Sequence, residues 1–274
     1  MAWRLLDFQY HNIFENMAID EAIFHETIKN KKAPTIRFYN SQPVAISIGY
    51  FQDAKKEVNI EKCYSAGIDI ARRITGGKAV FHFNELTYSV VASDHEKSFP
   101  PDILGTYKVI SRCIAKGLAY LGIKADLLES GRILPERKSE AYCFSVPSKN
   151  ELLVNGRKIC GSAQVRRRGG FLQHGSLLLD FDAAKTADFL LPSRTFEQIQ
   201  QLRETVTSVN EEIALPVDIQ EVCFRLKKGF IDELDINLAE EDLTSTEETL
   251  KNKLTGKYYD TRWTMQGENI FNRL

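Results

Sequence analysis

Apolar and polar positions mark out the elements of this chain before any single residue is considered. Residues 12–30, NIFENMAIDEAIFHETIKN, carry apolar side chains at 13, 17 and 24 and again at 19, 23 and 28, the spacing of an amphipathic helix. Asn12 followed by Glu15 resembles a capping box at its start. TIRFY (35–39) and VAISIGY (44–50) read as strands separated by the turn Asn40-Ser41-Gln42-Pro43, and residues 53–67 as a charged stretch holding a short helix. AVFHF and LTYSVVA, rich in β-branched and aromatic residues, read as strands that meet at Asn84-Glu85, preceded by a flexible loop at Thr75-Gly76-Gly77. Residues 104–121 show a helical stripe through Val109, Ile110, Cys113, Ile114, Leu118 and Leu121, weakened at Gly117 and closed by Gly122. A short strand over 123–128 and a polar loop over 129–142 follow.

The stretch 143–182 is the richest in strand signals. ELLV and KICGSAQV flank Asn155-Gly156, the preferred pair for a two-residue type I′ turn, so 151–154 and 157–164 are expected to form a hairpin. Arg166-Arg167-Arg168-Gly169-Gly170 makes a second turn before a third strand, FLQHGSLLLDF. Beyond Asp182 the pattern is charged and amphipathic, with no convincing strand pair. The order predicts an α+β fold with largely antiparallel β-sheets flanked by helices. A core over 1–185 and a helical C-terminal region over 186–274 packed on it as part of the same domain are expected.

Composition narrows the function classes. A net charge of −1 gives no global field to recruit nucleic acid or a membrane surface. No apolar run approaches a membrane span and the start lacks a signal-peptide pattern, so a cytoplasmic protein is expected. The five cysteines, at 63, 113, 143, 160 and 223, are odd in number and without a C-x-x-C pair, which argues against a disulfide framework or a structural zinc site.

Three places could carry chemistry. ARRITGGKAVFH sets Arg73, Thr75, Gly76 and Gly77 where a backbone can approach a ligand closely, though it is neither a Walker A loop nor G-x-G-x-x-G. Taken alone it reads more readily as a hairpin loop with solvated arginines. Lys158 lies in an otherwise small or apolar strand, where alternation places it on one face with Cys160 and Ser162, and Gly161 permits a close approach. An edge-strand lysine reaching solvent would show the same pattern. Cys143 stands at a loop-to-strand junction before Pro147, where a thiolate needs partial exposure and a nearby positive charge. A cysteine so placed is more often a pocket filler. His82 and His174 are the histidines within strand patterns; either could be a general base, but a histidine so placed is more often a structural hydrogen-bonding residue.

Taken together, NMAIDEA, SIGYFQ, RRITGGKAVFHFNELTYS and NGRKICGSAQ…LQHGSLLLD, in that order over residues 1–185, resemble the lipoate–protein ligase and octanoyltransferase family, which shares a biotin/lipoate protein ligase-like catalytic domain. CFSVPSKNELLVNGRKICGSAQ is most similar to the LipM type of octanoyl-[acyl carrier protein]:protein N-octanoyltransferase, with Cys143, Pro147, Ser148, Glu151, Leu152 and Lys158 in that arrangement. Asn150 stands where an aromatic is usual, Ile74 where proline is common, Lys78 where arginine is common, and Cys160 where alanine or serine is usual.

The resemblance implies that Cys143 takes an octanoyl group from octanoyl-acyl carrier protein as a thioester. It passes the group to a lysine of a lipoyl-domain acceptor such as the glycine cleavage H protein, with Lys158 assisting and no cofactor. Arg73, Thr75, Gly76, Gly77, His82, Gly161, Ser162 and His174 would bind substrate. Partner docking is expected at Arg166-Arg167-Arg168 or Lys55-Lys56. Three alternatives remain open at this level. The first is an ATP- and Mg-dependent lipoate–protein ligase, the second a lipoyl amidotransferase of the same fold, and the third a non-catalytic module that binds acyl groups or carrier proteins.

Overall fold

Asn12 opens the first helix as its spacing predicts, its Oδ1 accepting the Glu15 N–H at 3.0 Å. The computed structural model describes residues 2–127, 151–191 and 195–267. In chain order these form β1 (Ala2–His11), α1 (Ile13–Asn30), β2 (Thr35–Ser41), β3 (Ala45–Ile48), α2 (Ala54–Glu57), α3 (Ile60–Ser65), β4 (Asp69–Arg72), β5 (Val80–His82), β6 (Glu85–Ser93) and α4 (Ile103–Ala119). They continue with β7 (Asp126–Leu127), β8 (Leu152–Val154), β9 (Arg157–Arg167), β10 (Gly170–Leu178), α5 (Ala183–Leu190), α6 (Phe196–Thr205) and α7 (Val209–Glu212). The chain closes with α8 (Ile219–Leu234), β11 (Asn237–Glu240), α9 (Ser245–Tyr259) and α10 (Thr261–Gln266).

One eight-stranded sheet runs β11-β1-β2-β6-β10-β9-β8-β7, and a three-stranded sheet runs β4-β3-β5. The pairs β1–β2, β1–β11 and β3–β4 are parallel; the others are antiparallel. At the centre, β6 and β10 are buried along their whole length, because both faces of the large sheet are covered. On one face α4 and α8 pack with Phe38, Leu86, Tyr88, Phe171 and Leu177 into the main core. On the other, α1 and α9 pack against Val91 and Leu172 in a second cluster that includes Tyr258 and Trp263.

Two expectations change, and one strand appears that was not expected. The C-terminal region is not purely helical: β11 adds a parallel edge to β1, a pairing across more than 200 residues that local pattern cannot reveal. β1 itself, WRLLDFQYH, shows too irregular an alternation to stand out as a strand. The strand expected over 123–128 is limited, among the described residues, to Asp126–Leu127. The hairpin stands as read, with positive φ at both Asn155 and Gly156.

The C-terminal region also buries charge against the core. Arg4 on β1 meets Glu247 on α9 through two bonds of 2.8 and 2.7 Å. Glu21 on α1 accepts from Lys257 at 2.7 Å and from the Tyr258 hydroxyl at 2.5 Å.

Candidate active site

The register between β8 and β9 slips between Leu152 and Leu153, which face Cys160 and Lys158 respectively. Ile159 is therefore an extra residue in β9, a bulge that breaks the alternation. The expected common face for Lys158, Cys160 and Ser162 is thus corrected. Cys160 stays with Ile159 in the main core, while Lys158 joins the wall of a cavity on the opposite side of the sheet.

That cavity, of about 190 Å³, lies between the large sheet, α1 and the small sheet. Arg73, Gly77, His82, Lys158, Gly161, Ser162 and His174 all border it, so one space gathers seven of the residues singled out from sequence. Met17, Tyr39, Ala79, Val80 and Ala163 supply apolar wall. Thr75 is fully buried behind His174, and Gly76 contributes its carbonyl to the loop rather than a surface to the cavity. Ser162 turns its hydroxyl to Tyr88, 2.7 Å away in the main core. Cys143, with Pro147 and Ser148, lies outside the described residues.

Lys158, 4% exposed, donates to Glu151 Oε1 at 2.6 Å. Glu151 sits one residue before β8, so the Asn155-Gly156 turn brings its carboxylate back beside the lysine. A buried ammonium is held in place this way; alone it would carry a large desolvation penalty. Chemically the pair is a proton donor and acceptor in a mainly apolar space.

The loop from Arg73 to Lys78 is held by the Arg73 side chain. Its Nη2 donates to the carbonyls of Gly76 and Lys78, both at 2.9 Å, and its Nη1 to Ser47 O at 3.0 Å and Ser47 Oγ at 2.8 Å. Its Nε reaches Thr75 Oγ1 at 3.3 Å. Thr75 Oγ1 lies 2.7 Å from His174 Nε2, and His174 Nδ1 lies 3.1 Å from Asp20 Oδ2. Ser47 Oγ lies 2.8 Å from His82 Nε2, and His82 Nδ1 lies 3.0 Å from Glu85 Oε1.

Asp20 also accepts from Arg37, Tyr39 and Ser89. Burial would raise its carboxyl, but the His174 hydrogen bond and the Arg37 charge outweigh that and hold it below the usual carboxylate range. Burial pushes the His174 ring down, with the Asp20 carboxylate opposing, so the ring is neutral. Asp20, Ser47 and Glu85 went unassigned in the sequence reading. The signal available was a run of polar residues, Asn16, Asp20 and Glu21, buried on a helix whose pattern otherwise marks core.

The four described cysteines are buried in the core clusters. Burial pushes the thiol of Cys63 up to about 11 and those of Cys160 and Cys223 up to about 12, and raises that of Cys113 as well. None has the lowered, accessible thiol that a nucleophile needs. Among the basic clusters, Arg166 is tied to Asp94 at 3.0 Å and to Thr106 at 2.7 Å, whereas Lys55 and Lys56 are exposed.

Residues 12–231 match the model of the lipoyl protein ligase A/B catalytic domain. The chain is 38% identical to the octanoyltransferase LipM of Brevibacillus brevis, covering 96% of this chain and 99% of that one. It is also 38% identical to LipM of Bacillus subtilis, covering 95% and 97%. Among solved structures it resembles a lipoate-protein ligase A bound with ATP, at 30% identity and a TM-score of 0.80 over 97% of this chain and 99% of that one. The bi-partite lipoate protein ligase of Thermoplasma acidophilum, described with its E2 lipoyl domain, resembles it at 29% identity and a TM-score of 0.80 over 98% of each chain.

Proposed function

Because the chain belongs to the lipoyl protein ligase A/B catalytic-domain family, we propose that it is an octanoyltransferase of protein lipoylation that works through a thioester on Cys143. The observation that carries this reading is the Lys158–Glu151 pair, 2.6 Å apart in the wall of a mainly apolar cavity. The state of the other cysteines supports it: Cys63, Cys113, Cys160 and Cys223 are buried with raised thiols, unlike a nucleophile.

The acyl donor is octanoyl-acyl carrier protein. The Cys143 sulfur attacks the donor's thioester carbonyl, the bond to the pantetheine sulfur breaks, and the thiol proton passes to the departing thiolate. A neutral lysine amine of a lipoyl-domain acceptor, such as the glycine cleavage H protein, then attacks the enzyme thioester. The C–S bond breaks, an amide forms, and the amine's proton returns to the Cys143 sulfur. Lys158 hands the proton across in both halves, with Glu151 holding it in position. The first exchange trades one thioester for another, so it needs no ATP. Thiolate suits both halves because it is a nucleophile and a competent leaving group. Arg73, Gly77, His82, Gly161, Ser162 and His174 border the octanoyl slot, with Thr75 and Gly76 shaping it from behind. The carrier and acceptor proteins dock near Lys55 and Lys56 through acidic surfaces, in keeping with the exposure of that pair.

Intact-mass measurement after incubation with octanoyl-acyl carrier protein tests the reading. One octanoyl adduct is expected, labile to hydroxylamine and absent in Cys143→Ser. The rival reading, an ATP-dependent lipoate–protein ligase, draws on the likeness to the ATP-bound ligase structure. It takes over if no adduct forms and activity requires ATP and free acid. Loading from the octanoyl H protein but not from the carrier protein makes the enzyme an amidotransferase.

A further inference from the structure

Arg73 offers five N–H groups, and among the described residues they reach Thr75 Oγ1, Ser47 O and Oγ, Gly76 O and Lys78 O. All five are neutral oxygens, and two are hydroxyls that each lead to a histidine. The direction of every bond beyond them is dictated by what stands at the far end. Asp20 is held ionised and can only accept, and Glu85 Oε1 already accepts the Thr87 hydroxyl at 2.7 Å, so the geometry has His174 and His82 each point an Nδ1–H at a carboxyl oxygen. In a ring that carries only that proton Nε2 is an acceptor, and the Thr75 and Ser47 hydroxyls then donate to it. A hydroxyl that donates its one proton away turns its lone pairs toward Arg73.

We propose that Asp20 and Glu85 are positioning residues which, through two parallel histidine–hydroxyl relays, fix the orientation of the Arg73 guanidinium and with it the Gly76–Gly77 edge of the cavity. This rests on the proposed transfer reaction only for its activity readout. Neither carboxylate borders the cavity, whereas Arg73, both histidines and Gly77 do. The two relays come from different elements, α1 with β10 and β3 with β5 and β6, and both reach Arg73. A guanidinium held from two sides cannot swing, and the carbonyls of Gly76 and Lys78 bonded to it cannot move independently.

The test is ring-nitrogen NMR of ¹⁵N-histidine-labelled protein, with single-turnover octanoyl loading measured on the same samples. In the wild type, His82 and His174 are expected as Nδ1–H tautomers near neutral pH. Asp20→Asn is expected to convert His174 to the Nε2–H tautomer while His82 keeps its own, and Glu85→Gln the reverse. Each variant is expected to load octanoyl about tenfold or more slowly, as misplacement of a substrate-positioning group does. Cys143→Ser, which abolishes loading, is expected to leave both tautomers unchanged. Nε2–H or doubly protonated rings in the wild type overturn the proposal, and that measurement needs no variant to fold. Converted tautomers with wild-type loading rates also overturn it. If the wild type itself does not load octanoyl, the transfer reading fails, while the tautomers still decide whether the relays exist.

Discussion

Gly49 is where the loop after β3 presses on the Gly76–Gly77 edge, so Gly49→Ala probes the cavity wall without removing a polar group. A Cβ there would stand 2.0 Å from Gly77 O, 2.9 Å from Gly77 C and 3.1 Å from Gly76 C. An ordinary C···O contact is about 3.3 Å, so one backbone must retreat by about 1.3 Å. Neither can do so freely. Tyr50 N donates to Thr75 O at 2.8 Å, and Arg73 holds the carbonyls on either side of Gly77. Behind Gly77, Ala163 Cβ and Arg73 Nη2 stand only 3.2 and 3.3 Å from where its own Cβ would be. Overpacking of this kind costs about 1–3 kcal/mol, and each kcal/mol lowers the melting temperature by about 2–4 °C in a chain of this size. The effect on chemistry is larger, because a shift of about 1 Å in a positioning group slows reaction about 10²-fold. Thermal unfolding and single-turnover octanoyl loading, followed by intact mass, measure the two effects. Loading within threefold of wild type would refute the reasoning, since the loop would then not shape the site.

Lys158→Ala takes the ammonium away from the buried Glu151 carboxylate and is expected to destabilise by about 3–5 kcal/mol in urea unfolding. The double variant Lys158→Met, Glu151→Leu is expected to regain most of that stability yet load no octanoyl; loading by the double variant removes Lys158 from the mechanism. Cys160→Ala is expected to keep the adduct and its rate, since burial pushes that thiol up to about 12; loss of the adduct would make Cys160 the nucleophile. Glu21 is a test of pH dependence. Burial would raise its carboxyl, but bonds from His25, Lys257 and Tyr258 prevail and lower it from 4.5 to about 2. Its stabilising contribution, on the order of 3 kcal/mol, is therefore complete above the unfolded value and lost as pH falls toward the folded one. Glu21→Gln is expected to be less stable than wild type near neutrality, with a deficit that shrinks between pH 4.5 and about 2. A constant deficit in urea unfolding across that window rejects the assignment.

Much of the site was legible because its signals are local. The Asn155-Gly156 turn, the RRITGGKAVFH loop and the helical period of residues 12–30 all act within a few residues of themselves, where backbone preference and hydrophobic spacing suffice. Lys158 stood out because a charge in an apolar strand demands a partner. The wrong face assigned to Cys160 and Ser162 relative to Lys158 has an equally specific origin. Strict alternation assumes an unbroken ladder, and a one-residue bulge at Ile159 reverses it.

Sequence alone determined most element types between residues 12 and 182, the hairpin, the order of the motifs and the family they resemble, since each is written in short-range pattern. Tertiary structure decided which polar residues meet. Asp20 reaches His174 across 154 positions and Lys257 reaches Glu21 across 236. No local preference encodes such a pairing; it follows from the strand order and register of a sheet whose two faces are both covered. Burial then made the outcome binding, because a carboxylate or an arginine removed from water must find its partners inside the protein.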